Sequence, residues 1–253
     1  MRRGSSGADI IIADGHVTKM NGDNVRLIDQ ANWLRRHESP ATPRVIEIYA
    51  QSYVMERLFV PPATLLNHTA TLDAMLTQLD AYVWYHSPVV PVNHEMLRVK
   101  IDRLLTEFNM QGLWPFIINT HTHVRWADVR RCLTHGDPTF DNVMIRESTG
   151  EIVLVDPIPA TLVNPDMWSV DIGKILQSCL GWESARYLDP SQLFTVGPQH
   201  LHTTLLKRFD ITDNEWAASV FWCVVHLLRT LPYVSDSIRL DVRRMISSAT
   251  TLL

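Results

Sequence analysis

The stretch THGDPTFDNVM, residues 134–144, lies just past the middle of a chain of 253 residues. Gly136, Pro138 and Asn142 are ordinary loop residues, but His135, Asp137 and Asn142 are also the residue types of a working site. The chain then runs into NVMIRESTGEIVLVDP, which reads as two short strands joined by a Ser-Thr-Gly turn. A hairpin of that length folds its two ends beside each other. Asp137 and Asn142, ahead of the first strand, are therefore brought next to Asp156 at the end of the second. Two carboxylates and an amide oxygen then converge, a hard donor set suited to Mg²⁺, which commonly binds through one or two carboxylates plus substrate phosphates. The remaining carboxylate, Asp137, is free to accept a proton from a hydroxyl nucleophile.

Working outward, the first sixty residues read as strands with one helix. ADIIIAD, Gly15 and HVTKM form a hairpin pattern with an Asp14-Gly15 turn. NVRLIDQANWLRRH carries Val25, Ile28, Ala31, Trp33 and Leu34 at helical spacing, and RVIEIYAQSYVMERLF predicts two further strands. Ser5, Ser6 and Gly7 form a small-residue turn entering a strand, the form of a loop whose amides cover phosphates. Lys19 follows on the next strand, where its ammonium reaches the same phosphates. From Pro61 onward the pattern turns helical, in ATLLNHTATLDAMLTQLDAYVWYH, in HEMLRVKIDRLLTEFN, in VRWADVRRCL, and from WSVDIGKILQSCL to the end. The expected class is α+β: a small β-rich lobe over 1–58 and a larger, mainly helical lobe over 59–253 with one embedded hairpin.

The composition, 46% hydrophobic and 20% charged, is that of a globular chain. Net charge is −4 and no Lys/Arg run tracks a phosphate backbone, so nucleic acid is not an expected partner. Cys132, Cys179 and Cys223 are scattered without a CxxC pair, which fits a reducing cytoplasm. MRRGSSGADIII has too short an apolar cluster for a signal peptide, and SVFWCVVHLL is about half a membrane span, so no membrane association is expected. His121 and His123 in NTHTHVRW would fit one face of a strand but lack a third ligand, so they read as surface or capping histidines rather than metal ligands, and His200 and His202 read the same way. Cys132, on the helix expected to lead into the loop, reads as a small buried hydrophobe.

HGDPTFDNVM together with VLVDP resembles the catalytic segment of the aminoglycoside phosphotransferase and choline kinase superfamily, which has the protein-kinase fold. The likeness runs in order through GSSGAD, Lys19, the helix around Gln30, YVMERL, HGDPTFDN, VDP and WSVDIGKIL. VDPIP with DIGKILQS is nearer to its sugar- and polysaccharide-associated members. The resemblance implies Asp137 as the catalytic base and Asn142 and Asp156 as magnesium ligands. It implies Ser5, Ser6, Gly7 and Lys19 around the nucleotide phosphates, and backbone at Glu56 and Leu58 facing adenine. His135 and Asp171 would brace the catalytic loop.

Two features depart from the family's pattern. Gln30 stands where a Glu usually pairs with the strand lysine; helical spacing sets it beside Leu27 and Leu34, facing inward, with Asp29 turned roughly 100° away. The usual first strand is also almost absent. The implied activity is transfer of phosphoryl from ATP or GTP, with Mg²⁺, to a hydroxyl of a small molecule, a sugar or amino-alcohol. A catalytically idle kinase-like module, suggested by Gln30 and the clipped strand, is one alternative. A protein kinase is another, against which stands the short segment IPATLVNPDM between Asp156 and Trp168.

Overall fold

Alternating apolar residues in the N-terminal part assemble a five-stranded antiparallel sheet in the order β1-β2-β3-β5-β4. The strands are Arg2–Arg3 (β1), Asp9–Ala13 (β2), His16–Met20 (β3), Val45–Ile48 (β4) and Ser52–Glu56 (β5). The computed structural model describes residues 2–3, 8–13, 15–20, 24–59, 69–88, 90–187 and 196–253. The expected β2–β3 hairpin is present, with Ile10 opposite Lys19 and Ala13 opposite His16. Its turn uses Gly15 at φ +77°, a left-handed conformation that glycine adopts without a Cβ penalty; Asp14 lies outside the described residues.

The pleat sets Val17 and Lys19 of β3 on the same buried face as Tyr53 and Met55 of β5, and Lys19 sits opposite Tyr53. The helix Asn24–Arg36 (α1) packs on the sheet, burying Leu27, Ala31, Trp33 and Leu34. Gln30 is buried with them while Asp29 is exposed, as helical spacing predicts.

The second lobe is helical around one two-stranded sheet. Its helices are Thr69–Tyr82 (α2), His94–Glu107 (α3), Trp114–His123 (α4), Trp168–Cys179 (α5), Trp182–Tyr187 (α6), Pro198–Phe209 (α7), Asp213–Thr230 (α8) and Asp236–Thr250 (α9). The strands Val143–Ile145 (β6) and Ile152–Leu154 (β7) form the embedded hairpin. At the centre α5 lies against α8, and Gly173 permits the approach: a Cβ there would stand 2.8 Å from the Cys223 backbone nitrogen. Eleven residues of α5 are buried and Lys174 is the exception. Each fully buried Leu, Ile or Phe of this pair contributes roughly 1.5–3 kcal/mol, and together they make a rigid floor for the loop above. A capping box, Thr212 with Glu215, starts α8 and ties off two amides that would otherwise lack partners.

Two sequence expectations fail here. VRWADVRRCL is not a helix: only Trp126–Asp128 makes a 3₁₀ turn, Val129 is already extended, and the residues after it form no regular element. Its backbone bonds go elsewhere, from Leu133 N–H to the His86 carbonyl (3.0 Å) and from Trp168 N–H to the Arg130 carbonyl (3.1 Å). Tertiary pairing thus overrides local propensity, although Cys132 is buried as expected. NTHTHVRW is not a strand either; its His121 and His123 lie on α4, two residues apart and so on different faces. His121 contacts His94 at 3.0 Å, and His202 stacks on Trp216. Among the described residues no group of three His, Cys, Asp or Glu is placed to hold a metal. The start of the expected helix at 61–68 lies outside the described residues. No helix among them is long and apolar enough to cross a membrane.

Candidate active site

The β6–β7 hairpin performs the convergence that its length predicts. Val143 pairs with Leu154, and the Val155 N–H donates to the Asn142 carbonyl at 2.9 Å, setting Asn142 beside the strand end that carries Asp156. Asp156 itself sits at φ +60°, a costly conformation for a residue with a Cβ. Ahead of β6 the loop doubles back on itself. Gly136 has φ +78°, and a Cβ there would lie 2.1 Å from the Ile158 carbonyl oxygen, so only glycine fits. The Asn142 side-chain N–H₂ donates both to the Asp137 carbonyl (2.8 Å) and to Asp137 Oδ2 (3.0 Å). That orientation leaves Asn142 Oδ1 as the side chain's remaining oxygen donor, and both Asn142 and Asp156 line the cleft between the lobes.

The loop is fastened from below by Asp171 of α5. Its Oδ1 accepts from the Gly136 N–H (2.7 Å), and its Oδ2 from the His135 N–H (3.0 Å) and the Trp84 indole (2.8 Å). Burial pushes the Asp171 carboxyl up to about 7, with these three donors pulling the other way. His135 is fully buried, its ring edge-on to Trp33 of α1 at 5.8 Å. Burial lowers its pKa to about 4, against the pull of Asp137 and Asp156, so the ring is neutral. Its backbone carbonyl accepts from the Ile158 N–H at 2.8 Å.

Two lysines divide the carboxylates between them. Lys19, on the sheet's buried face, pairs with Asp156 Oδ1 across the cleft rather than with Gln30. Lys174 of α5 pairs with Asp137 Oδ1 at 2.9 Å. Burial raises the Asp137 carboxyl, but the charge and hydrogen bond of Lys174 outweigh it, and the net shift is downward. Lys174 was not among the residues singled out from sequence, yet a signal existed. It follows Asp171 by three positions, so on a helix the two share a face.

On the sheet side, the Glu56 N–H donates to the Arg44 carbonyl (3.0 Å) and its carboxylate takes Arg146 Nη2 (2.8 Å) and Nε (3.3 Å). Arg146 also donates to the carbonyls of Pro40 (2.9 Å) and Thr42 (3.0 Å), tying the β6–β7 hairpin to the sheet. Leu58 is half-buried in the link that follows, and Phe59 exchanges backbone hydrogen bonds with Ile145 (2.9 and 2.8 Å). Ser5, Ser6 and Gly7 lie outside the described residues.

Between the lobes is a cleft of about 430 Å³ lined by Gln30, Asp137, Asn142, Asp156 and Lys174. Sequence reasoning also missed Lys100, Asn164, Arg186 and Arg229 on its walls. Arg186 pairs with Asp141 at 2.7 Å, and Arg229 donates to Asn164 Oδ1 at 2.9 Å. Lys100, Arg186 and Arg229 come from three separate helices and Asn164 from the segment before α5, and nothing local in their sequence marks them.

No family model and no curated protein sequence matches the chain. Solved structures do. A choline/ethanolamine kinase family protein from Mesorhizobium loti superposes with a TM-score of 0.64 at 13% identity, covering 100% of this chain and 87% of that one. Choline kinase LicA from Streptococcus pneumoniae gives 0.62 at 13% identity, over 98% and 91% of the two chains. The gentamicin complex of the aminoglycoside phosphotransferase APH(2")-IIa gives 0.55 at 13% identity, over 100% and 90%. The chain therefore has the two-lobed fold shared by aminoglycoside phosphotransferases and choline kinases.

Proposed function

We propose that the chain is a phosphotransferase that moves the γ-phosphoryl group of ATP or GTP to a hydroxyl of a small molecule. The observation that carries this reading is the meeting of Asp137, Asn142 and Asp156 at one cleft, with Lys19 of the sheet paired to Asp156. The residues 1–58 hold the nucleotide and 59–253 supply the catalytic loop and acceptor wall. Asp137 orients the acceptor hydroxyl and takes its proton as the oxygen attacks phosphorus; the bond to the β-phosphate oxygen breaks and the nucleoside diphosphate leaves. Lys19 gives its ammonium to the nucleotide phosphates. Asn142 Oδ1 and the Asp156 carboxylate are hard oxygen donors that suit Mg²⁺, which when bound neutralises charge on the phosphate oxygens. Asp171 and His135 keep the loop in place without touching the reacting atoms.

Thermal unfolding with Mg²⁺ and ATP or GTP tests the reading, on the wild type and Asp156→Ala. Ligand at about 100 times its dissociation constant adds roughly 2.7 kcal/mol and visibly raises the midpoint. A magnesium-dependent rise lost in Asp156→Ala supports the proposal, and no rise with either nucleotide sinks it. Asp137→Ala is expected to keep nucleotide binding and lose turnover.

A further inference from the structure

The carboxylates of the cleft are already matched to cations: Asp156 to Lys19, Asp137 to Lys174 and Asp141 to Arg186. Lys100 of α3 and Arg229 of α8 line the same cleft and form no ion pair among the described residues. They are mutually close. Burial lowers the Lys100 pKa and the positive charge of Arg229 lowers it further. Burial also lowers that of Arg229, partly offset by Asp137. Two half-buried cations with no ion-pair partner among the described residues are expensive to hold together, and a folded chain retains such a pair most readily where an anion joins them.

The polar groups around them point the same way. Asn164, already accepting from Arg229 through Oδ1, has its buried Nδ2 donor without a partner among the described residues. Gln177 lines the cleft with both amide atoms buried and unpartnered, and His226 has Nδ1 in the same condition. The acidic residues that line the cleft all belong to the catalytic loop and hairpin; α3, α8 and residues 230–234 contribute none. A cationic acceptor would meet like charge on this wall. Gentamicin and choline, named for the similar structures, are cations of that kind.

We infer that the acceptor is a small hydroxyl compound bearing an oxyanion, a carboxylate or a phosphate or sulfate ester, held by Lys100 and Arg229 with Asn164. This rests on the phosphotransferase reading and names its substrate class. It also sets the direction of approach: the anion sits against α3 and α8 while the hydroxyl points to Asp137, which lines the same cleft.

The test compares one scaffold in four charge states. Glucose, glucosamine, glucuronate and glucose 6-phosphate are each titrated by calorimetry into the full chain without nucleotide, then offered as acceptors with Mg²⁺ and ATP or GTP. An anionic member is expected to bind at least about ten-fold tighter than glucose or glucosamine, and to give the faster turnover. Glucuronate against glucose 6-phosphate separates the carboxylate from the phosphate source. Lys100 makes no hydrogen bond among the described residues that its loss would leave broken, so Lys100→Gln should fold and weaken the anion about ten-fold. Arg229→Gln, checked by its unfolding midpoint because it also breaks the Asn164 bond, should do the same. Lys100→Glu should move the preference toward glucosamine.

Equal binding of all four sugars, no binding of any, or faster turnover of glucose or glucosamine overturns the inference. So does Lys100→Gln weakening nucleotide alone, which would place the two cations on the donor phosphates. Nucleotide binding, read separately by thermal unfolding with Mg²⁺, judges the phosphotransferase reading itself.

Discussion

Lys174 Nζ lies 2.9 Å from Asp137 Oδ1, while the other carboxylate oxygen takes the Asn142 amide at 3.0 Å. The carboxylate proposed as base is thus held at both oxygens, by a helix below and by its own loop. Lys174→Met removes the cation and leaves a charge with only the amide. Breaking a fully buried pair costs about 3–5 kcal/mol. Asp137 keeps 22% side-chain exposure, so water recovers part of that and the loss should be smaller. Turnover should fall by at least about ten-fold, with less effect on the nucleotide KM, and Lys174→Arg should restore part of it. Steady-state kinetics beside a urea midpoint separate the two effects. An unchanged kcat would mean that Lys174 only fills space.

Arg146 joins the lobes through Glu56, Pro40 and Thr42, using its planar fork on the carboxylate. A lysine cannot reproduce that geometry, so Arg146→Lys is expected to lower stability by roughly 1–3 kcal/mol. The pH dependence has a definite sign. Burial raises the Glu56 carboxyl, but Arg146 and the Arg44 amide together outweigh it, so its folded pKa lies below 4.5. A depressed carboxyl contributes stability above its unfolded pKa and loses it as pH falls through the folded value. The wild-type advantage over Arg146→Lys should therefore be full at pH 7 and shrink below about pH 4.5. Urea unfolding across pH 3–7 reads this, and a gap that stayed constant over that range would remove Glu56 from the account.

Much of this is legible in the sequence itself. The lobe order, the β2–β3 hairpin and the inward face of Gln30 follow from period-2 and period-3.6 patterns, which depend on neighbours in sequence. The Asp137, Asn142 and Asp156 cluster was legible for a related reason, because a short hairpin leaves its ends no freedom to separate. VRWADVRRCL misled because its backbone amides and carbonyls pair with His86 and Trp168, contacts that no local window contains. Lys100 and Arg229 were invisible for the same cause: each is one basic residue on an ordinary amphipathic helix until α3 and α8 face a common space.

Gly136 offers a sharp backbone test. Its φ of +78° costs an L-residue roughly 1–2 kcal/mol, and the added methyl would strike the Ile158 carbonyl, which itself belongs to the strand-end segment after Asp156. Gly136→Ala should lose about 2–4 kcal/mol by denaturant unfolding. It should also lose turnover, because the same shift moves Asp137 relative to Asp156. Gly150, also at positive φ (+72°) but with open space around it, is the control: Gly150→Ala should carry only the backbone cost and leave turnover intact. Equal effects at the two glycines would show that the Ile158 contact is unimportant.

In the proposed mechanism Lys19 and Mg²⁺ would compete for one carboxylate. The ammonium of Lys19 occupies Asp156 Oδ1, and Lys19 is buried, so its withdrawal from Asp156 is opposed by desolvation until phosphates arrive to receive it. Removing the ammonium should therefore have opposite effects on the two ligands. Lys19→Met loses a contact to the nucleotide, and its affinity for ATP or GTP should fall at least about ten-fold. The same change leaves the Asp156 carboxylate unpaired beside Asn142 Oδ1, so Mg²⁺ added alone should raise the unfolding midpoint of Lys19→Met more than that of wild type. The variant should start lower without Mg²⁺, by the cost of an uncompensated, partly exposed carboxylate. Thermal unfolding over a Mg²⁺ series, with Ca²⁺ for comparison and Asp156→Ala as the blank, measures each term. Should Mg²⁺ shift Lys19→Met no more than wild type, Asp156 is not the residue that holds the metal. A nucleotide affinity unaffected by the same substitution would instead remove Lys19 from the phosphates.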